Sequence, residues 1–288
     1  MISGRTKIFG IFGYPVEHTF SPRMHNAAFS KLGIDACYVP FAVSPDKLDD
    51  AVKAIIPLGL SGLNVTVPHK EKIIPYLDEL SEEARLIGAV NTIEIKNGKM
   101  IGHNTDGRGF LRSLREDTKF SPKGKIVLLI GSGGAARAVG FSLALAGAKK
   151  IVFYDVDFHK ANTLAQDIRQ KTGADAKIIS RDLIQVSAAE ADCLVNATPL
   201  GLKKTDPMPI GIDSVLRKHL VCDLVYNPPE TRLLKAAKKK GAKQFSGLGM
   251  LLYQGVIAFE IWTGRKAPVV VMKKSLAGQI GDLHHKRG

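Results

Sequence analysis

The glycine-rich turn at residues 131–136 constrains the fold of this chain more than any other stretch. It has the pattern G-x-G-x-x-A, and it lies between an apolar run at 125–130 and a helical stretch of small residues that reaches about residue 146. Such glycines permit a tight turn and let a diphosphate approach the N-terminus of the following helix. The pattern therefore predicts a dinucleotide site at Gly131, Ser132, Gly133, Gly134 and Ala135.

Five more strand-like runs follow this turn, and most of them alternate with helical stretches. Alternation of this kind is typical of a parallel sheet with helices on both faces. We therefore expect an α/β fold in which a doubly wound, Rossmann-type nucleotide domain occupies residues 107–246. The five runs are 150–154, 176–179, 192–196, 220–224 and 243–245.

Asp155 ends the second of these strands, at about the distance from the glycines where an acidic residue accepts the ribose hydroxyls of NAD. A carboxylate in that place repels the 2′-phosphate of NADP. Asp157 is an alternative for the same role, or it caps the helix that starts near Phe158. His159 and Lys160 are nearby cations that leave NADP possible, so the sequence favours NAD without excluding NADP.

The segment Asn64-Val65-Thr66-Val67-Pro68-His69-Lys70 is the second polar motif. It begins inside the apolar run 60–67, and we expect a helix at 71–80 after the proline. Asn64, Thr66 and Lys70 bring an amide, a hydroxyl and an ammonium to one strand end. Together they can hydrogen-bond a polyhydroxylated substrate and exchange a proton with it. The alternative is an ordinary solvated strand end.

Thr19 and Ser21 precede a helix that ends at Gly33, and Ser21-Pro22 is typical of an N-cap followed by proline at the first helical position. Hydroxyls at a helix N-terminus can donate to a carboxylate, which the helix dipole also favours. The alternative is that Ser21 simply caps the helix.

Asn97-Gly98 predicts a hairpin between strands at 91–95 and 100–104. Asp106 follows the hairpin just before a helix at about 108–116, where it is either an N-cap or a functional carboxylate. Gly247 opens a short segment before a helix at 251–262, and Gln254 near the start of that helix either faces a cleft or is an ordinary first-turn residue. We expect residues 1–106 to form an α/β substrate domain that residues 247–288 return to complete.

Composition narrows the class of protein. The net charge is +14, but the lysines are dispersed apart from Lys238-Lys239-Lys240, and we find no nucleic-acid motif. A field that attracts anionic small molecules explains this charge as well. The sequence shows neither a membrane-spanning run nor a signal-peptide pattern. Cys37, Cys193 and Cys222 are far apart in apolar surroundings, so we expect reduced thiols and a cytoplasmic location. We expect no metal site.

These motifs together resemble the shikimate dehydrogenase family, including its quinate/shikimate branch, over nearly the whole chain. The matching segments are Gly13-x-Pro15-x-x-His18-Thr19-x-Ser21-Pro22-x-x-His25-Asn26, the 64–70 motif, Gly88-Ala89-Val90-Asn91-Thr92, Gly102-x-Asn104-Thr105-Asp106-Gly107, Gly131-Ser132-Gly133-Gly134-Ala135, Asn196-Ala197-Thr198-Pro199-x-Gly201, Asp223-Leu224-Val225-Tyr226-Asn227-Pro228 and Gly247-Leu248-Gly249-Met250-Leu251-Leu252-x-Gln254-Gly255.

The resemblance implies a role for each motif. Lys70 and Asp106 would act together in proton transfer, and Thr19 and Ser21 would hold the substrate carboxylate. Tyr226 and Gly247 would lie near the nicotinamide, and Thr198 belongs to the cofactor-binding set. The remaining substrate-binding residues would be Asn64, Thr66, Asn91 and Gln254.

Two departures from the family pattern bear on specificity. Thr19 stands where serine is usual, and Asp155-Val156-Asp157 replaces the Asn-Arg-Thr that is typical of NADP-using members. The resemblance therefore implies oxidation of the C3 hydroxyl of shikimate or quinate, with NAD favoured over NADP, by a monomer or homodimer. The alternative interpretations are an NADP-dependent biosynthetic enzyme, a dehydrogenase of the same fold acting on another polyol or on an amino-substituted acid, and a ligand sensor with the same fold.

Overall fold

The computed structural model describes residues 2–285, and it describes side chains as far as residue 278. The chain divides into two compact units. The first is formed by Met1–Thr105 and Leu252–Gly288, and the second by Asp106–Leu251. Both ends of the sequence therefore contribute to the first unit. None of the helices in the described part of the chain is long and apolar enough to cross a membrane.

The N-terminal part of the first unit forms one mixed sheet. Its strand order is β2-β1-β3-β5-β6-β4, with β2, β1 and β3 parallel and β5 antiparallel to both of its neighbours. The elements are β1 (Lys7–Gly13), α1 (Ser21–Lys31), β2 (Ala36–Ala42), α2 (Leu48–Ala54), β3 (Leu60–Val65), β4 (Glu79–Leu80), α3 (Glu82–Ile87), β5 (Thr92–Lys96) and β6 (Lys99–His103).

The tight hairpin predicted at Asn97-Gly98 is confirmed. Asn97 and Gly98 have φ values of 52° and 75°, and Lys96 pairs with Lys99 across the turn. Two successive positive φ angles match the right-handed twist of the strands, and Asn-Gly tolerates them best.

The helix predicted at residues 71–80 is wrong. The structure has turns there, then a 3₁₀ turn at Ile74–Tyr76, and then the short β4, which pairs with β6. Pro75 lies in the middle of the predicted helix, where its ring removes a backbone donor and clashes with the preceding turn. The side chain of Ile73 is instead fully buried in the first unit's core.

The second unit is a fully parallel sheet of six strands in the order β12-β11-β10-β7-β8-β9. This confirms the predicted α/β class. The elements are α4 (Asp106–Ser113), a π-helical turn (Leu114–Thr118), β7 (Ile126–Ile130), α5 (Gly134–Leu145), β8 (Lys150–Tyr154), α6 (Phe158–Thr172), β9 (Ala176–Ile178), α7 (Ile184–Glu190), β10 (Cys193–Asn196), β11 (Leu220–Asp223), α8 (Arg232–Lys239) and β12 (Lys243–Ser246).

Cys193 and Cys222 are not far apart, contrary to the expectation from their spacing. They lie on the neighbouring strands β10 and β11 with 3.6 Å between their sulfur atoms, and both are buried free thiols. Burial raises the pKa of the Cys222 thiol well above its usual range.

The chain ends in α9 (Gly247–Thr263) and α10 (Val269–His285). The segment starting at Gly247 was expected to precede α9, but it forms the first turn of that helix. Gln254 consequently lies two turns into α9 rather than near its start. Glycine is required at position 247, because a side chain there would collide with the backbone carbonyl of Leu224.

Candidate active site

Asn64 is the centre of a hydrogen-bond network at the end of β3 in the first unit. Its Oδ1 accepts a hydrogen bond of 2.7 Å from the Tyr38 hydroxyl. Its Nδ2 donates to the backbone oxygen of Asn91 and to Thr92 Oγ1, each at 3.1 Å. The apolar run of β3 places this amide in a buried position, and the network satisfies its polar atoms.

Asn91 extends the network toward the C-terminal part of the same unit. Its Oδ1 accepts from the backbone N–H of Thr105 at 2.7 Å, and its Nδ2 donates to Thr105 Oγ1 at 2.9 Å and to Gln254 Oε1 at 3.4 Å. The structure therefore brings together Asn64, Asn91 and Gln254, three amides that the sequence analysis placed in the site. Amides arranged in this way can donate to and accept from the hydroxyls of a polyol.

The segment from Thr66 to Lys70 is held as a turn by its neighbours. The Thr66 backbone N–H donates to the carbonyl of Phe12 at 2.8 Å, and the Lys70 carbonyl accepts from Val90 N–H at 2.8 Å. Buried His69 has its Nε2 2.7 Å from the carbonyl of Val43, a contact in which the ring nitrogen must donate. The backbone that carries Thr66 and Lys70 is thus anchored, and both side chains remain partly exposed.

Ser21 does not cap α1 as predicted. The helix begins at Ser21 itself, and the N-cap position is Phe20, whose side chain makes no cap hydrogen bond. The Ser21 N–H instead donates to Thr19 Oγ1 at 3.3 Å. Thr19 and Ser21 therefore both lie at the start of α1, the location that the carboxylate hypothesis gives them.

The sequence analysis missed the aromatic cluster beneath this network. The imidazole of His25 stacks on Tyr38 with ring centroids 4.6 Å apart and lies 5.4 Å from Trp262. Neither ring nitrogen of His25 has a hydrogen-bond partner among the described residues, and burial lowers its pKa to about 3. The His25-Asn26 pair in the first motif is the signal that could have drawn attention to this position.

The glycine-rich turn of the second unit brings the chain close to Ala197 and leaves the start of α5 open. Gly131 has φ of 109°, a conformation that residues with a side chain rarely adopt, and a Cβ there would lie 3.0 Å from the backbone of Ala197. Gly133 is the N-cap of α5, and the space above it is open. An open helix N-terminus between β7 and α5 fits a diphosphate group.

Asp155 is tied to this turn. Its Oδ2 accepts from the Ser132 hydroxyl at 2.6 Å, and its Oδ1 accepts from the Asp157 N–H at 2.9 Å. Asp157 caps α6 through the Lys160 N–H at 3.0 Å, so the capping role considered for Asp157 is the one the structure shows. The carboxylate at the end of β8 is therefore Asp155, adjacent to the predicted diphosphate site.

A buried carboxyl that the sequence analysis did not assign supports the loops of Thr198 and Tyr226. Asp223 accepts hydrogen bonds from Asn196 Nδ2 at 2.9 Å, from the Val225 N–H at 3.1 Å and from the Thr231 hydroxyl at 2.5 Å. Burial raises the pKa of Asp223 to about 6, although its three donors act in the opposite direction.

The loops held by Asp223 carry two of the expected cofactor residues. Thr198 donates from its hydroxyl to Asn196 Oδ1 at 2.7 Å, which fixes the loop after β10. Tyr226 is partly exposed on the loop after β11, and burial raises the pKa of its hydroxyl to about 12. Gly247 also contacts this second loop, through the backbone of Leu224.

The two residues expected to share proton transfer belong to different units. Lys70 lies in the first unit, whereas Asp106 is the first residue of α4 and belongs to the second. Asp106 follows Thr105 directly, and Thr105 is hydrogen-bonded to Asn91. The Asp106 side chain is buried, so it is not a solvated N-cap.

The first unit thus carries a buried network of amides, and the second carries a glycine-rich turn that leaves a helix N-terminus open, a combination that is typical of a nucleotide-dependent dehydrogenase. Comparison with known proteins specifies this class. A model of the shikimate dehydrogenase substrate binding domain matches residues 11–93, and a model of the shikimate 5′-dehydrogenase C-terminal domain matches residues 247–277.

Similar proteins match over almost the full length. The chain is 50% identical to the shikimate dehydrogenase (NADP(+)) of Desulforamulus reducens over 97% of both chains. A crystal structure of a shikimate dehydrogenase in complex with NADP+ superposes with a TM-score of 0.90 at 42% identity, covering 97% of this chain and 98% of that one. The shikimate 5-dehydrogenase of Listeria monocytogenes, in complex with shikimate and NAD, gives a TM-score of 0.87 at 37% identity, with 96% and 98% covered. This chain belongs to the shikimate dehydrogenase family.

Proposed function

We propose that this protein is a shikimate dehydrogenase, which reversibly oxidises the C3 hydroxyl of shikimate to a ketone with a nicotinamide cofactor. The observation that carries the proposal is the buried set of amides, Asn64, Asn91 and Gln254, joined through Asn91 by hydrogen bonds in the unit that also carries Lys70. This arrangement suits a ring with several hydroxyls, and family membership supplies the reaction.

Lys70 is the residue that we assign to proton transfer. Its backbone is anchored by the hydrogen bond from Val90, so its side chain starts from a fixed position. In its neutral form the amine accepts the proton of the reacting hydroxyl, and in its charged form it returns that proton in the reverse reaction. Asp106 is proposed to act with it, and Thr19 and Ser21 are proposed to bind the substrate carboxylate.

The residues of the second unit fit the nicotinamide dinucleotide that the reaction needs. Gly131 and Gly133 leave room for the diphosphate, and the N-terminus of α5 favours its charge. When bound, the cofactor supplies the hydride acceptor for the alcohol and the hydride donor for the ketone. The remaining proposed contacts are Ser132, Gly134, Ala135, Asp155, Thr198, Tyr226 and Gly247.

NADP is the first candidate for the cofactor. The Desulforamulus relative is named an NADP(+) enzyme, and the structure with a TM-score of 0.90 is a complex with NADP+. Within this chain, Lys160 lies in the first turn of α6, the helix that follows Asp155, and offers a positive charge to a 2′-phosphate.

NAD is the second candidate, and Asp155 is the observation that favours it. Its carboxylate ends β8 next to the diphosphate cradle, where it can accept the ribose hydroxyls of NAD and repel the phosphate of NADP. The Listeria relative, whose structure contains shikimate and NAD, is consistent with this choice.

Initial rates with shikimate and with quinate, each paired with NAD and with NADP, test the proposal. We expect shikimate with NADP to give the highest kcat/KM. A higher value for shikimate with NAD would move the cofactor to the second candidate, and a higher value for quinate would change the substrate. The absence of turnover in all four combinations would contradict the proposed dehydrogenase activity and favour a ligand sensor.

A further inference from the structure

Tyr38 is a buried side chain held rigidly next to the proposed substrate site. Its backbone N–H donates to Asn26 Oδ1 at 2.8 Å and its carbonyl accepts from Asn26 Nδ2 at 2.9 Å, so both sides of the residue are fixed to α1. Its ring is 1% exposed and stacks on His25 at an interplanar angle of 12°. The Tyr38 hydroxyl therefore meets Asn64 from a fixed position.

The neighbours of Asn64 determine which way its amide faces. Its Nδ2 lies 3.1 Å from the backbone oxygen of Asn91, and a carbonyl oxygen can only accept. The nitrogen must therefore be on that side, and Oδ1 must face Tyr38, whose hydroxyl donates to it. A flipped amide would set two oxygens against each other at Asn91, so the Asn91 carbonyl fixes the orientation, and the Tyr38 hydroxyl then holds Oδ1 in place by donating to it.

This arrangement uses most of the bonding capacity of Asn64. Its two amide hydrogens go to the Asn91 carbonyl and to Thr92 Oγ1, and its oxygen accepts from Tyr38. One lone pair on Oδ1 is left for a ligand, because a carbonyl oxygen has two. Asn64 in this orientation can accept a hydrogen bond from a ligand but cannot donate one.

We propose that Tyr38 is a positioning residue that holds Asn64 as an acceptor, so that Asn64 selects a ring hydroxyl of the substrate. The inference rests on the proposed function and deepens it. It assigns a role to a tyrosine outside the residues predicted to touch substrate, and it defines the chemistry of one contact. A ring group without a hydrogen to donate, such as fluorine or an ether oxygen, does not satisfy Asn64.

Tyr38→Phe tests this role because it keeps the ring and its stacking on His25 and removes only the hydroxyl. We expect the Kd and KM for shikimate to rise about tenfold, as for the loss of one good hydrogen bond, with kcat and the cofactor KM nearly unchanged. Trp262→Phe is the matched control. It removes a hydrogen bond of 2.9 Å to the Ile93 carbonyl from the same aromatic cluster without touching Asn64. It should lower the melting temperature and leave the shikimate KM alone.

A double-mutant cycle with Asn64→Ala separates positioning from general damage to the fold. If Tyr38 acts through Asn64, Tyr38→Phe has no further effect on shikimate affinity once Asn64 is alanine. The inference is overturned if wild-type protein oxidises shikimate but Tyr38→Phe leaves the KM unchanged. It is equally overturned if Trp262→Phe raises the KM as much, or if the Tyr38 effect persists in the Asn64→Ala background.

Deoxyfluoro analogues of shikimate test the wild-type protein directly, whether or not Tyr38→Phe folds. Calorimetry should show that replacing one ring hydroxyl by fluorine weakens binding at least about tenfold, and that Asn64→Ala abolishes most of this difference. Equal binding of all the analogues would refute the acceptor role. If the wild-type protein binds shikimate without turning it over, the proposed reaction is contradicted, but the binding comparison still tests the acceptor role of Asn64. If the wild-type protein does not bind shikimate, the proposed reaction and the acceptor role are both contradicted.

Discussion

His25 in the first unit and Asp223 in the second are both buried ionisable side chains, but their surroundings differ. Neither ring nitrogen of His25 has a partner among the described residues, and burial lowers its pKa to about 3. Asp223 accepts hydrogen bonds from Asn196, Val225 and Thr231, yet burial still raises its pKa to about 6. Desolvation favours the neutral form of each group and shifts the two pKa values in opposite directions.

This difference shows how each unit suits its proposed ligand. The network around Asn64 and Asn91 consists of amides and hydroxyls packed over a neutral aromatic cluster, which suits the uncharged hydroxyls of a ring. The second unit places carboxyl groups at the ends of β8 and β11, Asp155 beside the turn that is proposed to bind the cofactor and Asp223 between the loops of Thr198 and Tyr226. Substitutions in the first unit should therefore change substrate kinetics, those near Asp155 should change cofactor choice, and acid should affect the two buried cores oppositely.

The largest expected effect is on turnover, from the first unit. Lys70→Ala should lower kcat by about 10²–10⁴-fold, the range for a positioned proton-transfer group, and should change the KM for shikimate and for the cofactor much less. Lys72→Ala is the control, because Lys72 is an exposed lysine on the same turn. Steady-state kinetics of both variants measure the difference, and near-normal kcat in Lys70→Ala would remove this residue from the mechanism.

Acid should loosen the first unit through His25. Its folded pKa lies below the unfolded value of 6.5, so the unfolded chain binds the extra proton and stability falls as the pH drops below 6.5. The loss should reach about 2 kcal/mol near pH 5 and about 4 kcal/mol near pH 3.

Hydrogen exchange resolved by peptide, from about pH 7 to pH 4, measures this loss in the intact protein. Peptides of α1 and β2 should lose protection, and His25→Phe, which keeps a ring against Tyr38, should remove most of the pH dependence. Wild-type and variant curves that run in parallel would show that His25 does not titrate as proposed.

Asp223 should make the stability of the second unit depend on pH in the opposite direction. Its folded pKa of about 6 exceeds the ordinary 3.8, so the folded state holds the proton between these values. The stability it contributes is present below about pH 4 and is lost as the pH rises through 6, a change of about 3 kcal/mol.

Asp223→Asn is a suitable probe because its oxygen can still accept from Asn196 and Val225, while the new amide can donate to Thr231. Relative to the wild type, protection of β10 and β11 in this variant should improve as the pH rises from about 4 to 7. The reverse trend would mean that the three donors outweigh burial and hold the pKa of Asp223 low.

The smallest expected effect concerns cofactor choice. Asp155→Asn should raise the ratio of kcat/KM for NADP to that for NAD by about tenfold, or ~1.4 kcal/mol, because it removes a charge that repels the 2′-phosphate. Asp157→Asn is the control. It removes the same charge two residues away, and asparagine remains a good cap for α6. An equal change in the NADP-to-NAD ratio of kcat/KM in both variants would show that cofactor choice depends on the overall negative charge near the site and not on the position of Asp155.

Most of the fold could be predicted because it depends on local patterns. The strands of the second unit begin and end within one or two residues of the apolar runs, since parallel strands buried on both faces have continuous apolar sequences. The hairpin at Asn97 required only a dipeptide. The false helix after Lys70 came from neglecting Pro75, and the late start given to α9 came from placing residues 247–250 before the helix.

The candidate site was predictable only in part. Motifs supplied Asn64, Asn91 and Gln254, but their mutual hydrogen bonds join residues as much as 163 positions apart in sequence. Tyr38 gave no local signal, and the motif that begins at Asp223 did not reveal a role for that residue. A buried tyrosine in β2 and an aspartate at the end of β11 acquire their roles only through neighbours elsewhere in the fold. Periodicity carries no information about such partners.

The glycines of α9 limit how this protein can be engineered for heat resistance. Replacing a helical glycine by alanine commonly stabilises a protein, because alanine restricts the unfolded chain. At Gly247 the new methyl group would strike the immovable carbonyl of Leu224, so this change should be damaging. At Gly255 it would meet the end of the flexible Met24 side chain instead of backbone, so Gly255 is the less costly of the two positions. A thermostabilisation campaign on this helix should therefore begin at Gly255 and leave Gly247 untouched.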